Sequence, residues 1–222
     1  MNVDYNKFAS TFSKSRKNMK WEELNYFIDN YLKNSGFSLL DIWCGNGRLL
    51  SHLNQNLDDI NFDYVWCDAS SLMIEEAKNI HKNDNFYVLN MLNLEEFNIW
   101  KKFDFIVFIA SFHHLDSFED RELVLDEAKK LLKNDWIIFM TNWSLDSDLN
   151  YEKYINSRIE NSINEYGSSD YNIKIWEFDR YYHCFNLNEL NTLFKKTWFD
   201  IIENRLFDNS RNIISVIKKI WD

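Results

Sequence analysis

The stretch Leu39-Leu40-Asp41-Ile42-Trp43-Cys44-Gly45-Asn46-Gly47-Arg48-Leu49-Leu50 constrains this chain more than any other, because it reads as a short apolar strand, a tight turn and a helix start. Two glycines one residue apart let the backbone turn sharply and bring its amides close to a ligand before the helix begins. That is what a nucleotide-binding first loop requires. Strands alternating with helices beyond it predict a parallel α/β sheet.

The rest of the chain continues the alternation. Phe37 to Ile42 reads as the first strand, Gly47 to Leu57 as its crossover helix, and Phe62 to Cys67 as a second strand ending on Asp68. A carboxylate about twenty residues past a glycine loop, at a strand's carboxyl end, can accept hydrogen bonds from both ribose hydroxyls. Asp68 has a second reading as a cap for the helix starting at Ser70 or Ser71. Leu72 to Ile80 predicts that helix, Phe86 to Leu89 a third strand followed by Asn90-Met91, and Phe103 to Ile109 a central strand covered on both faces. Ala110-Ser111-Phe112-His113-His114-Leu115 then reads as a loop, Glu119 to Leu132 as a helix and Trp136 to Thr141 as the fifth strand.

Residues 142–176, polar and aromatic with a predicted helix from Leu149 to Tyr166, lie past the fifth strand on the ligand face of such a sheet and read as a substrate lid. Leu187 to Lys196 predicts a last helix, and Phe199 to Phe207 with Asn212 to Ile220 an antiparallel hairpin. The expectation is one domain over 1–222: a seven-stranded, mostly parallel Rossmann-like sheet closed by that hairpin. Residues 1–34 form a helical arm ahead of it, with Tyr5, Phe8 and Phe12 at helical spacing.

Charge and cysteines narrow the class. A net charge of −10 argues against broad, charge-driven nucleic-acid binding, although Lys7, Lys14, Arg16, Lys17 and Lys20 make the arm basic. Cysteines at 44, 67 and 184 have neither metal-ligand spacing nor a disulfide framework. With no apolar run of membrane-spanning length and nothing that reads as a signal peptide, the expected setting is cytoplasmic, without a membrane partner.

The 39–50 block resembles the first motif of class I S-adenosylmethionine-dependent methyltransferases, an apolar strand ending in Asp and then Gly-Cys-Gly-x-Gly. Asp41, Cys44, Gly45 and Gly47 match, and Trp43 replaces the first glycine. The resemblance implies S-adenosylmethionine as cofactor. It assigns Asp41, Trp43, Cys44, Gly45 and Gly47 to the loop, Asp68 and Ala69 to the ribose, Asn90 and Met91 to the adenine, and Ala110 to the mouth of the site. A side chain as large as Trp43 is expected to invade the methionine end. The chain has no proline, which excludes the Pro-Pro-aromatic motif of amino-methylating relatives and the Pro-Cys nucleophile of cytosine C5 enzymes.

Four glycines and nine tryptophans reverse the usual balance. Trp43, Trp66, Trp136 and Trp198 all stand at turns or close approaches where relatives write glycine. Two readings follow: a lineage that decodes UGA as glycine, here translated as tryptophan, or a degenerate scaffold with a blocked site. Trp176 is a further member of the first set.

The block Arg180-Tyr181-Tyr182-His183-Cys184-Phe185-Asn186-Leu187-Asn188-Glu189-Leu190, with His113-His114, resembles the tRNA wobble-uridine carboxymethyl methyltransferases. That resemblance implies O-methylation of a carboxylate on a modified tRNA, with a small activator protein as partner. It gives Arg180, Tyr181, His183 and His113 to substrate orientation. Methylating a carboxylate needs alignment and exclusion of water and no strong base. A small-molecule O-methyltransferase and a non-catalytic cofactor-binding scaffold are the alternatives. The same residues also have plainer roles open to them: Tyr181 and Tyr182 as lid packing, Arg180 as a surface ion pair.

Overall fold

A computed structural model describes residues 21–32, 36–57, 60–82, 85–97, 101–175 and 178–220. The basic arm at 1–20 and Trp176 lie outside the described residues. Nine strands and five helices carry the fold among those described: α1 (Glu22–Tyr31), β1 (Phe37–Ile42), α2 (Arg48–Asn56), β2 (Phe62–Asp68), α3 (Ser71–Ile80), β3 (Phe86–Val88), β4 (Phe103–Ile109), α4 (Phe118–Leu131), β5 (Leu132–Trp143), β6 (Ser169–Ile175), β7 (Phe178–Cys184), α5 (Leu187–Lys196), β8 (Phe199–Leu206) and β9 (Asn212–Lys219), besides shorter helical turns.

Seven strands form one sheet in the order β3-β2-β1-β4-β5-β9-β8. Strands β1 to β5 pair in parallel, and β9 returns antiparallel between β5 and β8. The expected seven-stranded sheet with its C-terminal hairpin is therefore what the chain builds. Its central strands are apolar on both faces because helices cover both. Leu40, Ile42, Ile106, Phe108, Ile138 and Met140 pack toward α4 and α5, while Leu39, Phe105, Val107 and Phe139 pack toward α1, α2 and α3. No described helix is long and apolar enough to cross a membrane.

Two segments differ from the sequence expectation. β5 starts at Leu132, four residues early, and the β4–β5 register shifts between Phe103 and Phe105. The shift follows Asp135, whose φ of 68° is left-handed and throws the strand out of step. In the segment after β5, the helix expected over Leu149 to Tyr166 shrinks to Tyr151–Tyr154 and a turn at Ile155–Ser157. Asn161, at φ 57°, and Gly167, at φ 83°, lie in left-handed conformations that no helix continues through. Beyond them β6 and β7 pair antiparallel as a separate two-stranded ribbon, with Asp170 opposite His183 and Ile173 opposite Arg180.

Candidate functional site: the carboxyl ends of the parallel strands

The glycine loop hangs from β2. The amides of Trp43 and Cys44 both donate to the Cys67 carbonyl, at 2.8 and 3.1 Å. Gly45 and Gly47 take φ values of 58° and 79°, and a Cβ at Gly47 would run into the Trp66 indole. Cys44 is buried, and its thiol sits against the Gly45 carbonyl.

Asp68 binds the loop from the far side. Its Oδ2 accepts from the Gly45 amide at 2.9 Å and its Oδ1 from the Ser70 amide at 2.8 Å. The cap of α3 is Ser70, whose side chain accepts from Met73. Asp68 is thus held at the end of β2, against the loop. Burial pushes its carboxyl up to about 6, against the pull of those two amides.

Asp41, at the carboxyl end of β1, accepts from the Tyr64 hydroxyl at 2.6 Å. Its other oxygen, Oδ1, is buried without a hydrogen-bond partner, and so is Oδ1 of Asn46. Burial raises Asp41 to about 7, and the neighbouring Asp68 charge adds to the rise. Asn90 turns its Oδ1 onto the Leu92 amide at 3.1 Å, capping the helical turn that starts at the buried Met91. Ala69 is exposed, and Ala110 sits at φ 52° with its amide on Thr141. These positions line adjacent strands β3, β2, β1 and β4. Left-handed glycine amides, a carboxylate against the loop and two orphaned buried oxygens suit a polar adenosyl ligand.

A second cluster lies beside it. The Trp43 ring, half-buried, stands 5.6 Å from the His114 ring. His113 packs on His114 at 4.5 Å, and both rings contact Tyr182, which stacks on Trp143 at 5.0 Å. Hydrogen bonding fixes both tautomers. A carbonyl can only accept, so His114 Nδ1 donates to Tyr181 O at 2.8 Å, leaving its Nε2 lone pair to accept from Arg180 Nη2 at 3.1 Å. An amide N–H can only donate, so His113 Nδ1 accepts from Trp143 N at 3.2 Å and its proton is on Nε2. Burial, then the Arg180 charge, holds His113 down to about 3. Burial also drives His114 well below the ordinary histidine range, with His113 and Arg180 adding to it. Arg180 is buried and lies over the Tyr182 ring at 5.2 Å.

The remaining residues of the Arg180 block face elsewhere. Tyr181 donates to Asp170 Oδ1 at 2.7 Å, and His183 Nδ1 bonds the same oxygen at 2.6 Å. His183 Nε2 reaches Glu189 Oε2 at 3.0 Å, and Arg121 pairs with Glu189 Oε1 at 2.8 Å, both partners buried. Burial raises Glu189, but its bonds to His183 and neighbours outweigh that and bring it to about 2. The structure therefore brings His113 and Arg180 together with His114 and Tyr182. It draws Tyr181 and His183 into a network fastening the ribbon to α4 and α5. Asp170 and Arg121 were not singled out from sequence. The two-residue alternation in Asp170-Tyr171-Asn172-Ile173 was the available signal.

A methyltransferase-domain family matches residues 40–135. A candidate methyltransferase, 235L, of Invertebrate iridescent virus 6 is 28% identical over 72% of this chain and 68% of its own length. Two proteins named tRNA (carboxymethyluridine(34)-5-O)-methyltransferase, from Arabidopsis thaliana and Saccharomyces cerevisiae, are 28% and 29% identical over 65% and 64% of this chain. The matches span 32% and 47% of those two proteins. In fold, the chain is similar to an S-adenosylmethionine-dependent methyltransferase from Clostridium acetobutylicum, at TM-score 0.67 and 18% identity over 97% of this chain and 98% of that one. It is also similar to a structure titled as a complex of the Haloferax volcanii Trm112 methyltransferase activator with a candidate methyltransferase, at TM-score 0.69 and 12% identity over the whole of both chains.

Proposed function

We propose that this S-adenosylmethionine-dependent methyltransferase methylates a carboxylate oxygen, on a carboxymethylated wobble uridine of tRNA, without a general base. The observation that carries the reading is the state of the paired histidines. The free lone pair of His113 is taken by the Trp143 amide and that of His114 by Arg180, so neither ring can accept a proton from an acceptor. A hydroxyl or amine would have to lose one during transfer. A carboxylate arrives ionised and needs only orientation.

Gly45, Gly47, Asp41 and Asp68 hold the cofactor in this reading, with Asn90 and Met91 toward the base. When bound, S-adenosylmethionine supplies a methyl group on a sulfonium, open to attack by an electron pair. Arg180, buried between His114 and Tyr182, supplies the positive charge for the acceptor. His113 presents an N–H, and Trp43, Tyr182 and Trp143 exclude water around them. Tyr181 and His183 position the ribbon that carries Arg180, through Asp170 and Glu189.

The two tRNA enzymes among the relatives support the macromolecular acceptor. The net charge of −10 favours instead a small carboxylic acid as acceptor. A small activator protein would find an open sheet edge at β3, where Tyr87 and Val88 are 39% and 58% exposed.

The test incubates the chain with S-adenosylmethionine and an anticodon stem-loop carrying 5-carboxymethyluridine, the same stem-loop with uridine, or the free carboxymethylated nucleoside. Base-labile methyl ester on the first alone supports the tRNA reading, and ester on the nucleoside with little salt dependence supports the small acceptor. The rate of ester formation is expected to show no histidine inflection between about pH 5 and 8. Methylation of an uncharged hydroxyl, with a rate that climbs through about pH 6.5, would overturn the base-free reading.

A further inference from the structure

Asn142 sits near the carboxyl end of β5, completely buried, and neither its Oδ1 nor its Nδ2 has a hydrogen-bond partner among the described residues. Alternation along β5 places it on the face of Ile138 and Met140, and its partner across the sheet is Ile213. Apolar neighbours of that kind would be served better by a leucine, since an amide buried with no bond made weakens the fold that carries it. The adjacent residue ties this position to the acceptor end, because the Trp143 amide holds His113 Nδ1. His113 Nε2, 1% exposed, is a second buried donor without a partner. His113 lies in the short turn that follows β4 and Asn142 near the end of β5, so the two unmet polar groups both stand at the carboxyl ends of neighbouring strands, the ligand side of the sheet.

The two groups ask for different atoms. His113 Nε2–H can only donate and suits an anionic oxygen beside Arg180. Asn142 offers a donor and an acceptor side by side, which a carboxylate cannot satisfy, because it has no hydrogen to give Oδ1. A ring with adjacent N–H and C=O, such as the imide edge of a uracil, satisfies both at once. We propose that Asn142 is the specificity-determining residue of the acceptor site, reading the N–H/C=O edge of the base while His113 and Arg180 take the attached carboxylate. This rests on the carboxylate reading given above and adds the recognition of the ring.

The experiment compares wild type with Asn142→Leu on two anticodon stem-loops, one carrying 5-carboxymethyluridine and one carrying its N3-methylated form, whose imide hydrogen is gone. Wild type is expected to lose about 10- to 100-fold in kcat/KM on the N3-methylated probe, mostly through KM. Asn142→Leu is expected to be about as poor on the unblocked probe, to be indifferent to N3-methylation, and to bind S-adenosylhomocysteine within about twofold of wild type. It is also expected to melt at or above the wild-type temperature, because the unmet amide is gone. Equal wild-type rates on both probes would overturn the inference while leaving carboxylate methylation intact. If wild type makes no ester on either probe, the substrate reading fails, and the melt decides: a lower melting temperature for Asn142→Leu means the amide serves the fold and overturns the inference as well.

Discussion

Trp198 offers a test of what its backbone was shaped for. It follows α5 at φ 61°, its amide bonds the Lys195 carbonyl at 3.2 Å, and its own carbonyl receives the Ile220 amide at 3.2 Å. This is the left-handed position that ends helices, where glycine is the usual residue. Replacing tryptophan by glycine alone would mix conformation with lost burial, since the side chain is 63% exposed and the rest is covered. Comparing Trp198→Gly with Trp198→Ala removes the second effect. An L-residue in this region costs about 1–2 kcal/mol, and glycine gives back about 0.4–1 kcal/mol in the unfolded chain. Glycine should therefore be the more stable of the two by about 1 kcal/mol, or roughly 2–4 °C for a chain of this size. Trp136 provides the control, because it lies in β5 and has no left-handed φ. There Trp136→Gly should be less stable than Trp136→Ala by about 0.5–1 kcal/mol. Urea unfolding of the four variants checks the sign reversal. Alanine equal to or better than glycine at 198 would refute the conformational reasoning.

Three further outcomes follow from the site. Asp41 and Asp68 have folded-state values of about 7 and about 6 against 3.8 for an ordinary aspartate, so the stability they contribute is full below about pH 4 and lost as pH rises toward 7. In the proposed cofactor site it is their ionised forms that accept from the ligand, so S-adenosylhomocysteine affinity should rise over the same window, by calorimetry at pH 5, 6, 7 and 8, and Asp68→Asn should flatten that rise. Glu189→Ala strands the buried Arg121 guanidinium and should cost about 3–5 kcal/mol in urea unfolding. Gly47→Ala drives a Cβ into the Trp66 indole at a left-handed position and should cost about 2–4 kcal/mol, and that increment should shrink in a Trp66→Ala background, as thermal melts of the two single variants and the double variant will show.

What could be read from the sequence was whatever depends on local period and spacing. The sheet strands, the five helices and the Asp41, Gly45, Gly47 and Asp68 constellation follow from apolar runs, from glycines and from two carboxylates at strand ends. The β6–β7 ribbon was hidden because Asn and Ser scattered through 150–168 also suit helix ends, and because its alternation, with Tyr171 and Ile173 inward and Asn172 and Lys174 outward, is short. The division of the Arg180 block was hidden for another reason. Adjacent residues of a strand point to opposite faces, so Arg180 and Tyr182 meet the histidines while Tyr181 and His183 meet Asp170. A motif names all of them alike.

The four unusual tryptophans are not equivalent once placed, and their differences bear on the acceptor end. Trp43 and Trp198 take left-handed φ values, the conformation glycine adopts freely. Trp66 is fully buried, stacked on Phe86, and occupies the place a Gly47 Cβ would need. Trp136 is ordinary in φ, and the left-handed residue there is its neighbour Asp135. Conformation therefore supports glycine at 43 and 198, crowding supports a smaller residue at 66, and at 136 the backbone is silent. The consequence is largest at 43. With glycine there the indole beside His114 is gone, and the space between the loop and the histidines opens. A chain whose native peptides carry glycine at 43 should then bind S-adenosylhomocysteine more tightly than the tryptophan form. Equal affinity would mean that the Trp43 ring, which stands by His114, leaves the cofactor's place clear and walls only the acceptor.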